Sequence, residues 1–216
     1  ANPQTLHVAV VNIEGCIAYT TLTIRVLPNP TPSTDAEDIE LCDYDNPGDQ
    51  IEVFDITINE AYIINGELGV SAAYYESLEN ATDEIDPIVN PTTYTNIELG
   101  QQTIYVRVTN DTTGCFTIVT FDIIVNPLPD IGDVPDVIAC EINTDGFFDF
   151  DLGTVTSELL GAQDPANFTV TYHETQEDAD NGENALVSPY TNLTNPQQLF
   201  VNITNNLTGC NITGAG

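Results

Sequence analysis

The chain has 216 residues and contains no methionine, no tryptophan and no lysine; its two basic residues, Arg25 and Arg107, stand against 34 aspartates and glutamates for a formal charge of −32. Nucleic-acid binding is excluded first, because neutralising phosphates needs a basic face. Direct insertion into or attraction to an anionic membrane fails on the same ground, and no apolar run approaches the ~20 residues of a bilayer span. No basic-then-apolar secretion signal opens the sequence, and its start at Ala1 fits a mature or internal fragment. Strong acidity alone can signal disorder. Here 41% of the residues are hydrophobic, supplied by Val, Ile, Leu, Tyr and Phe, so the chain should fold around packed cores.

A repeat organises it. Gln4-Thr5-Leu6-His7-Val8-Ala9-Val10 returns as Gln102-Thr103-Ile104-Tyr105-Val106-Arg107-Val108 and again as Gln197-Gln198-Leu199-Phe200-Val201-Asn202-Ile203. Each copy leads to a Gly-Cys pair: Gly15-Cys16, Gly114-Cys115 and Gly209-Cys210. Between them Leu41-Cys42 answers Ala139-Cys140, Phe54-Asp55-Ile56 answers Phe150-Asp151-Leu152, Tyr74-Tyr75-Glu76 answers Tyr172-His173-Glu174, and Tyr94-Thr95-Asn96 answers Tyr190-Thr191-Asn192. One unit is therefore about 100 residues, the size of an immunoglobulin-like sandwich.

Alternating aliphatic positions in Ile104-Tyr105-Val106-Arg107-Val108 have the period of a strand with one buried face. Asn110-Asp111-Thr112-Thr113-Gly114 reads as the hairpin turn into a second strand from Cys115 to Val125. Helical periodicity is confined to short turns near Asn59–Ile64 and Ser157–Leu160. The fold class expected is all-β: tandem immunoglobulin-like antiparallel sandwiches in an extended array. Pro-rich joints at Val26–Pro32 and Val125–Pro129 divide it into the last strands of one module (1–28), a complete module (29–127) and a module lacking its final strand (128–216). Donor-strand polymerisation is the alternative reading of that incomplete module.

Five cysteines, at 16, 42, 115, 140 and 210, contain no C-x-x-C spacing for zinc or redox work. They can pair across the linkers (Cys16–Cys42, Cys115–Cys140) or within modules (Cys42–Cys115, Cys140–Cys210). In an extended array the linker pairs lie about a module length apart, whereas bonded Cα atoms must approach within ~7 Å. A first strand ending at Cys42 and a last strand starting at Cys115 are expected to meet at one end of a sandwich. That reasoning selects the intramodule pairs, sends Cys16 to an upstream module, and implies an oxidising extracellular compartment.

No catalytic motif is present: His7 and His173 read as surface strand residues, and no nucleophile elbow, phosphate loop or zinc-protease helix occurs. The acidic loops hold the chemistry. Asp43, Asp45, Asp49 and Asp55 in the first full copy, and Glu141, Asn143, Asp145, Asp149 and Asp151 in the second, set oxygen atoms on near-alternate residues around a glycine. Such a set suits a hard cation, calcium above all; the alternative is a solvated turn in which Asp and Asn tolerate the backbone. The acidic stretches Glu76–Asp86 and Glu174–Glu183 read as solvated mid-module loops.

The ordered motifs (Leu-Pro-x-Pro linkers, Leu41-Cys42-Asp43, Phe54-Asp55-Ile56, Tyr74-Tyr75-Glu76, Tyr94-Thr95-Asn96, Gln102–Val108 and Thr113-Gly114-Cys115) resemble repeats of very large surface adhesins of Bacteroidota. Those are SprB-like gliding-motility adhesins secreted by the type IX system. The resemblance implies an extracellular, cell-surface filament without enzymatic activity, whose partners are neighbouring modules of the same chain and a polysaccharide or abiotic surface. It also makes Thr112, in Asp111-Thr112-Thr113, similar to an O-glycosylation site of that phylum. Carbohydrate-binding modules and accessory modules of a larger secreted enzyme are the alternative readings.

Overall fold

The computed structural model describes residues 2–132, 136–140 and 145–215, and strands dominate it. The all-β, sandwich-type fold follows the alternation of apolar residues. In chain order the strands are β1 (Gln4–Val11), β2 (Ile17–Ile24), β3 (Ile39–Cys42), β4 (Val53–Phe54), β5 (Val70–Tyr75), β6 (Tyr94–Thr95), β7 (Gln101–Asn110) and β8 (Phe116–Asn126). They continue as β9 (Asp149–Phe150), β10 (Phe168–His173), β11 (Tyr190–Thr191), β12 (Phe200–Asn205) and β13 (Asn211–Ala215). β1 and β2 form a separate hairpin; β3-β8-β7-β5 is a four-stranded sheet, β10-β12-β13 a three-stranded one, and β4-β6 and β9-β11 are short pairs.

The recurring sequence returns as recurring structure. β5 lies antiparallel to β7 with Tyr75 opposite Tyr105, and β10 lies antiparallel to β12 with His173 opposite Phe200. On β7 the side chains of Gln102, Ile104, Val106 and Val108 point into the core, and on β8 those of Val119, Phe121, Ile123 and Val125 do so, the two-residue period of a sheet with one buried face.

By its packing the chain divides into two compact units whose borders differ from those of the repeat copies. One comprises residues 1–39, 54–94 and 103–123, the other residues 40–53, 95–102 and 124–216. In the first, Phe54, Ile56, Ile63, Tyr74, Tyr75, Ala81, Ile104, Val106, Val108, Phe121 and Ile123 are buried. In the second, Leu152, Leu159, Leu160, Tyr172, Val201 and Ile203 form the core, with Phe150, Phe168, Val170 and Tyr190 packed against it.

The short helices α1 (Glu60–Ile64) and α3 (Thr156–Leu160) stand where brief helical turns were expected. Two further helices, α2 (Leu78–Asp83) and α4 (Gln176–Asn181), occupy the acidic stretches that read as loops. Their signal is an N-cap: the Ser77 hydroxyl accepts from Asn80 N–H, and Thr175 does the same for Asp178 N–H. Asp178 is held below the usual carboxylate range by hydrogen bonds, chiefly from Thr175.

Helix ends also explain the repeat position that alternates between Arg107 and Asn202. Both side chains are buried on β7 and β12. Arg107 Nη1 donates to the carbonyls of Ala81 (2.8 Å) and Thr82 (3.0 Å) at the end of α2, while Asn202 Nδ2 donates to Ala179 O (2.7 Å) near the end of α4. Carbonyls at a helix end lack intrahelical partners, so different side chains perform one task. Arg107 adds an ion pair with Glu84 (3.3 Å) and stacks 3.4 Å from the Phe116 ring centroid.

His173, expected on the surface, is fully buried. Its Nδ1 lies 2.6 Å from Glu183 O and its Nε2 lies 2.9 Å from the Thr171 hydroxyl. A carbonyl only accepts, so Nδ1 carries the proton.

The Arg107→Ala variant strips donors from the buried Ala81 carbonyl and the partly buried Thr82 carbonyl and should lower stability by about 3 kcal/mol, whereas Asn202→Ala should cost about 1–2 kcal/mol. Arg107→Asn, which retains a donor of the kind the other copy uses, should lie between Arg107→Ala and the unmodified chain in urea-denaturation midpoint.

Buried phenols set a second expectation. Burial, reinforced by the Glu60 carboxylate, pushes the Tyr74 phenol far above its ordinary value, and burial likewise raises Tyr75, Tyr172 and Tyr190. A raised folded-state value favours the neutral phenol, so the stabilisation is complete below pH about 10 and is lost as pH climbs through the folded values. Tyrosinate absorbance should therefore show these four ionising late, together with unfolding, and Tyr74→Phe should flatten the alkaline loss of stability.

Candidate functional site

Repeated polar residues hold the loop that follows Cys42. Asn96 accepts from Glu52 N–H (2.8 Å) and donates through Nδ2 to Gln50 O (2.9 Å) and Glu98 O (2.7 Å). Asn192 repeats this, accepting from Phe148 N–H (2.8 Å) and donating to Gly146 O and Thr194 O, both at 2.9 Å. The recurrent Gln102 and Gln197 accept from Ile97 N–H (2.8 Å) and Leu193 N–H (2.6 Å). The Tyr-Thr-Asn and Gln motifs are thus clamps on loop backbone. Sequence reasoning found their recurrence but gave them no role; the signal was an Asn kept at a position that is buried in both copies.

Within that frame two carboxylates fold the loop onto themselves. Asp43, 1% exposed, accepts through Oδ2 from Gly48 N–H (2.7 Å) and Gln50 N–H (3.3 Å), and its Oδ1 is buried without a hydrogen-bond partner. Glu52 Oε1 accepts from Tyr44 N–H (2.7 Å) and Asp45 N–H (3.0 Å). Tyr44 is thereby fixed, and its hydroxyl donates to Asn211 Oδ1 at 2.5 Å.

Beside this contact lies the disulfide. Cys42, half-buried at the end of β3, is bonded to the fully buried Cys210, with Cα atoms 5.6 Å apart and 168 residues between them in sequence. The intramodule pairs Cys42–Cys115 and Cys140–Cys210 are therefore not formed; Cys16, Cys115 and Cys140 are free thiols. The cause is strand direction. Asp122 N–H donates to Asp38 Oδ1 (2.8 Å), and further along Asp43 N–H donates to Asn126 O (3.0 Å), so β3 runs parallel to β8. Cys42 consequently sits beside the end of β8, and Cys115 precedes its start, about 33 Å away at the strand rise. The extended-array spacing that seemed to forbid bonds between copies does not apply to this pair.

The carboxylates considered for calcium have local partners. Asp49 accepts from Ile51 N–H and Asn46 Nδ2, Asp55 from the Thr57 amide and hydroxyl, Asp145 from Phe147 N–H, and Asp151 from Gly153 N–H and the Ser188 hydroxyl. Asp149 accepts from the Thr191 hydroxyl, and Asp45 takes part through its backbone N–H. Hydrogen bonds from Thr57 hold Asp55 below the usual carboxylate range. Glu141 and Asn143 lie outside the described residues. Among the described residues no three His, Cys, Asp or Glu side chains gather in a way that could hold a metal ion. Thr112 is exposed in the β7–β8 turn, its N–H donating to Asn110 Oδ1. No described helix is long and apolar enough to cross a membrane.

The family model described as the Flavobacterium inter-domain disulphide bond domain matches the chain twice, over residues 38–129 and 136–215. The first match contains Cys42 and Cys115 and the second Cys140 and Cys210, and the observed bond runs from Cys42 in the first to Cys210 in the second. No curated protein matches the chain. A disulfide of this kind belongs to an oxidising, extracellular setting.

Opening the bridge should be costly. Restriction of a 168-residue loop in the unfolded chain is worth about 5 kcal/mol, so Cys42→Ala, Cys210→Ala and reduction should each lower the urea midpoint by a similar, large amount. Reductant should have no further effect on the midpoint of either variant.

Proposed function

We propose that this chain, which belongs to the Flavobacterium inter-domain disulphide bond domain family, supplies structural stalk repeats of a secreted cell-surface adhesin serving surface attachment or gliding, without an enzymatic role of its own. The single observation that carries the reading is the covalent bond between two consecutive copies of one repeat. A catalytic or ligand-binding module gains little from being bonded to its neighbour, whereas a load-bearing array gains continuity that survives local opening of a strand. The acidic surface, with net charge −32, supports the same reading, since self-repulsion between modules favours extension and solubility.

Polysaccharide or an abiotic surface is the partner that such a stalk serves at its far end. Imaging of the native full-length protein should show a thin beaded filament whose bead spacing is that of one repeat. A compact particle would overturn the stalk reading. Cells whose protein has had pairs of repeats deleted in frame should keep the protein at the surface but present a shorter filament.

A further inference from the structure

We propose that a cleft in the second repeat copy accepts the end of β2 from a second copy of this chain, so that molecules dock strand into cleft. The cleft has a volume of about 510 Å³, and Phe148, Phe150, Leu152, Tyr190, Leu199 and Val201 give it an apolar lining. Val137 and Phe147 also line it and are 45% and 49% exposed.

The first copy shows what such a place holds. Phe54, Tyr94 and Ile104 occupy the repeat positions of Phe150, Tyr190 and Leu199; the first three are buried, and the second three are only partly so. What differs is the last strand. β8 runs for eleven residues, and near its end Ile123 and Val125 are buried, Val125 N–H donating to Gly100 O (2.6 Å). β13, which follows the equivalent Gly-Cys pair, spans five residues and has Gly214 at the position of Val119. Among the described residues, no strand of the second copy stands where Ile123 and Val125 stand in the first.

The matching strand is β2. Counted from the Gly-Cys pairs, Ile24 and Val26 occupy the positions of Ile123 and Val125. They are 46% and 77% exposed, as is every residue of β1 and β2 to a comparable degree. A two-stranded hairpin by itself is marginal in water, so its apolar side chains gain from cover. The ladder ends with Gln4 opposite Ile24, and Arg25, Val26 and Leu27 run on past β1. Only the Asn2 side chain bonds to Val26 there, accepting from its N–H (2.9 Å) and donating to its carbonyl (2.6 Å). This overhang carries the side chains the cleft lacks, and Arg25 brings one of the two cations to a partner of net charge −32.

Docked in this way, Ile24 and Val26 fill the second copy as Ile123 and Val125 fill the first. Donor and acceptor are different surfaces, so the contact is heterologous: each docking leaves a free cleft and a free strand for the next molecule. A strand end buries less than the ~1,200 Å² of a standard interface, so the association is weak and concentration-dependent. The docking rests on repeat positions and burial, and it holds whether or not the array serves as a stalk.

The test is sedimentation equilibrium of residues 1–216 with Cys16, Cys115 and Cys140 changed to serine, which removes intermolecular disulfides as a source of association. The weight-average mass should rise above that of one chain as the concentration approaches about 1 mM. Ile24→Ser with Val26→Ser removes the donor and keeps the cleft; Val137→Ser with Phe147→Ser alters the cleft and keeps the donor. All four positions are exposed and the net charge is unchanged, so both double variants should keep the parent's urea midpoint. Each should be monomeric alone, and their equimolar mixture, which pairs an intact cleft with an intact donor, should associate again. A parent protein that stays monomeric, association that survives either double variant, or a mixture that stays monomeric would overturn the proposal.

Discussion

The Cys42–Cys210 bond is the constraint on which the local architecture of the loop end depends. A sulfur–sulfur bond tolerates little displacement between its two backbones, so each residue around it has to be placed by something else. Parallel pairing of β3 with β8 carries Cys42 to the end of β8. Asp43 and Glu52 then fold the following loop by accepting its N–H groups, and Asn96 holds Glu52 in turn. Tyr44 emerges from that loop to meet Asn211, the residue after Cys210. The covalent link is thus embedded in a polar frame whose main acceptors are carboxylates.

That frame gives a use for acid in a chain almost without base. With two cations for 34 carboxylates, ion pairing cannot stabilise the acidic side chains. They are turned instead to backbone amides and hydroxyls, as at Asp43, Asp49, Asp55 and Asp151. A carboxylate accepting N–H groups closes turns and caps helices, a charge-assisted bond that does not need a counter-ion. The cost is repulsion among neighbouring loops, which falls off over a Debye length of roughly 8 Å in physiological salt. Arg107 illustrates how sparingly positive charge is spent: it ends a helix, pairs with Glu84 and covers an aromatic ring, while the other copy performs the first of these tasks with neutral Asn202.

Much of the fold is legible in the sequence, because the two-residue alternation in Ile104–Val108 and Phe121–Val125 is the direct imprint of a buried sheet face. The repeat was legible for the same reason, as were the short turns that became α1 and α3. Helices α2 and α4 were not, since six-residue segments rich in acid carry no apolar periodicity; only Ser77 and Thr175, as N-caps, betrayed them. His173 was misplaced because composition cannot tell an outward strand position from one covered by the chain near Glu183. The disulfide was misassigned because cysteine spacing contains no information about strand direction. An antiparallel first strand would have put Cys42 near Cys115, and the parallel one puts it at the far end of β8.

Strand direction also determines how the bond bears tension. Once Cys42 and Cys210 are joined, a pull applied before residue 42 and after residue 210 passes through the sulfur atoms, and the residues between them need not resist it. Sheets whose cores are modest, such as the cluster of Leu152, Leu159, Leu160, Tyr172, Val201 and Ile203, are then spared the load that would unzip them strand by strand. A bond within one module would protect that module alone and leave the linker as the weakest point. A bond from the first strand of one copy to the last hairpin of the next spans the linker, so the proline-rich joint and most of both copies lie inside the protected loop. The misassigned pairing and the observed one therefore differ in mechanical consequence, and only the observed one closes a covalent loop that includes the joint between two copies.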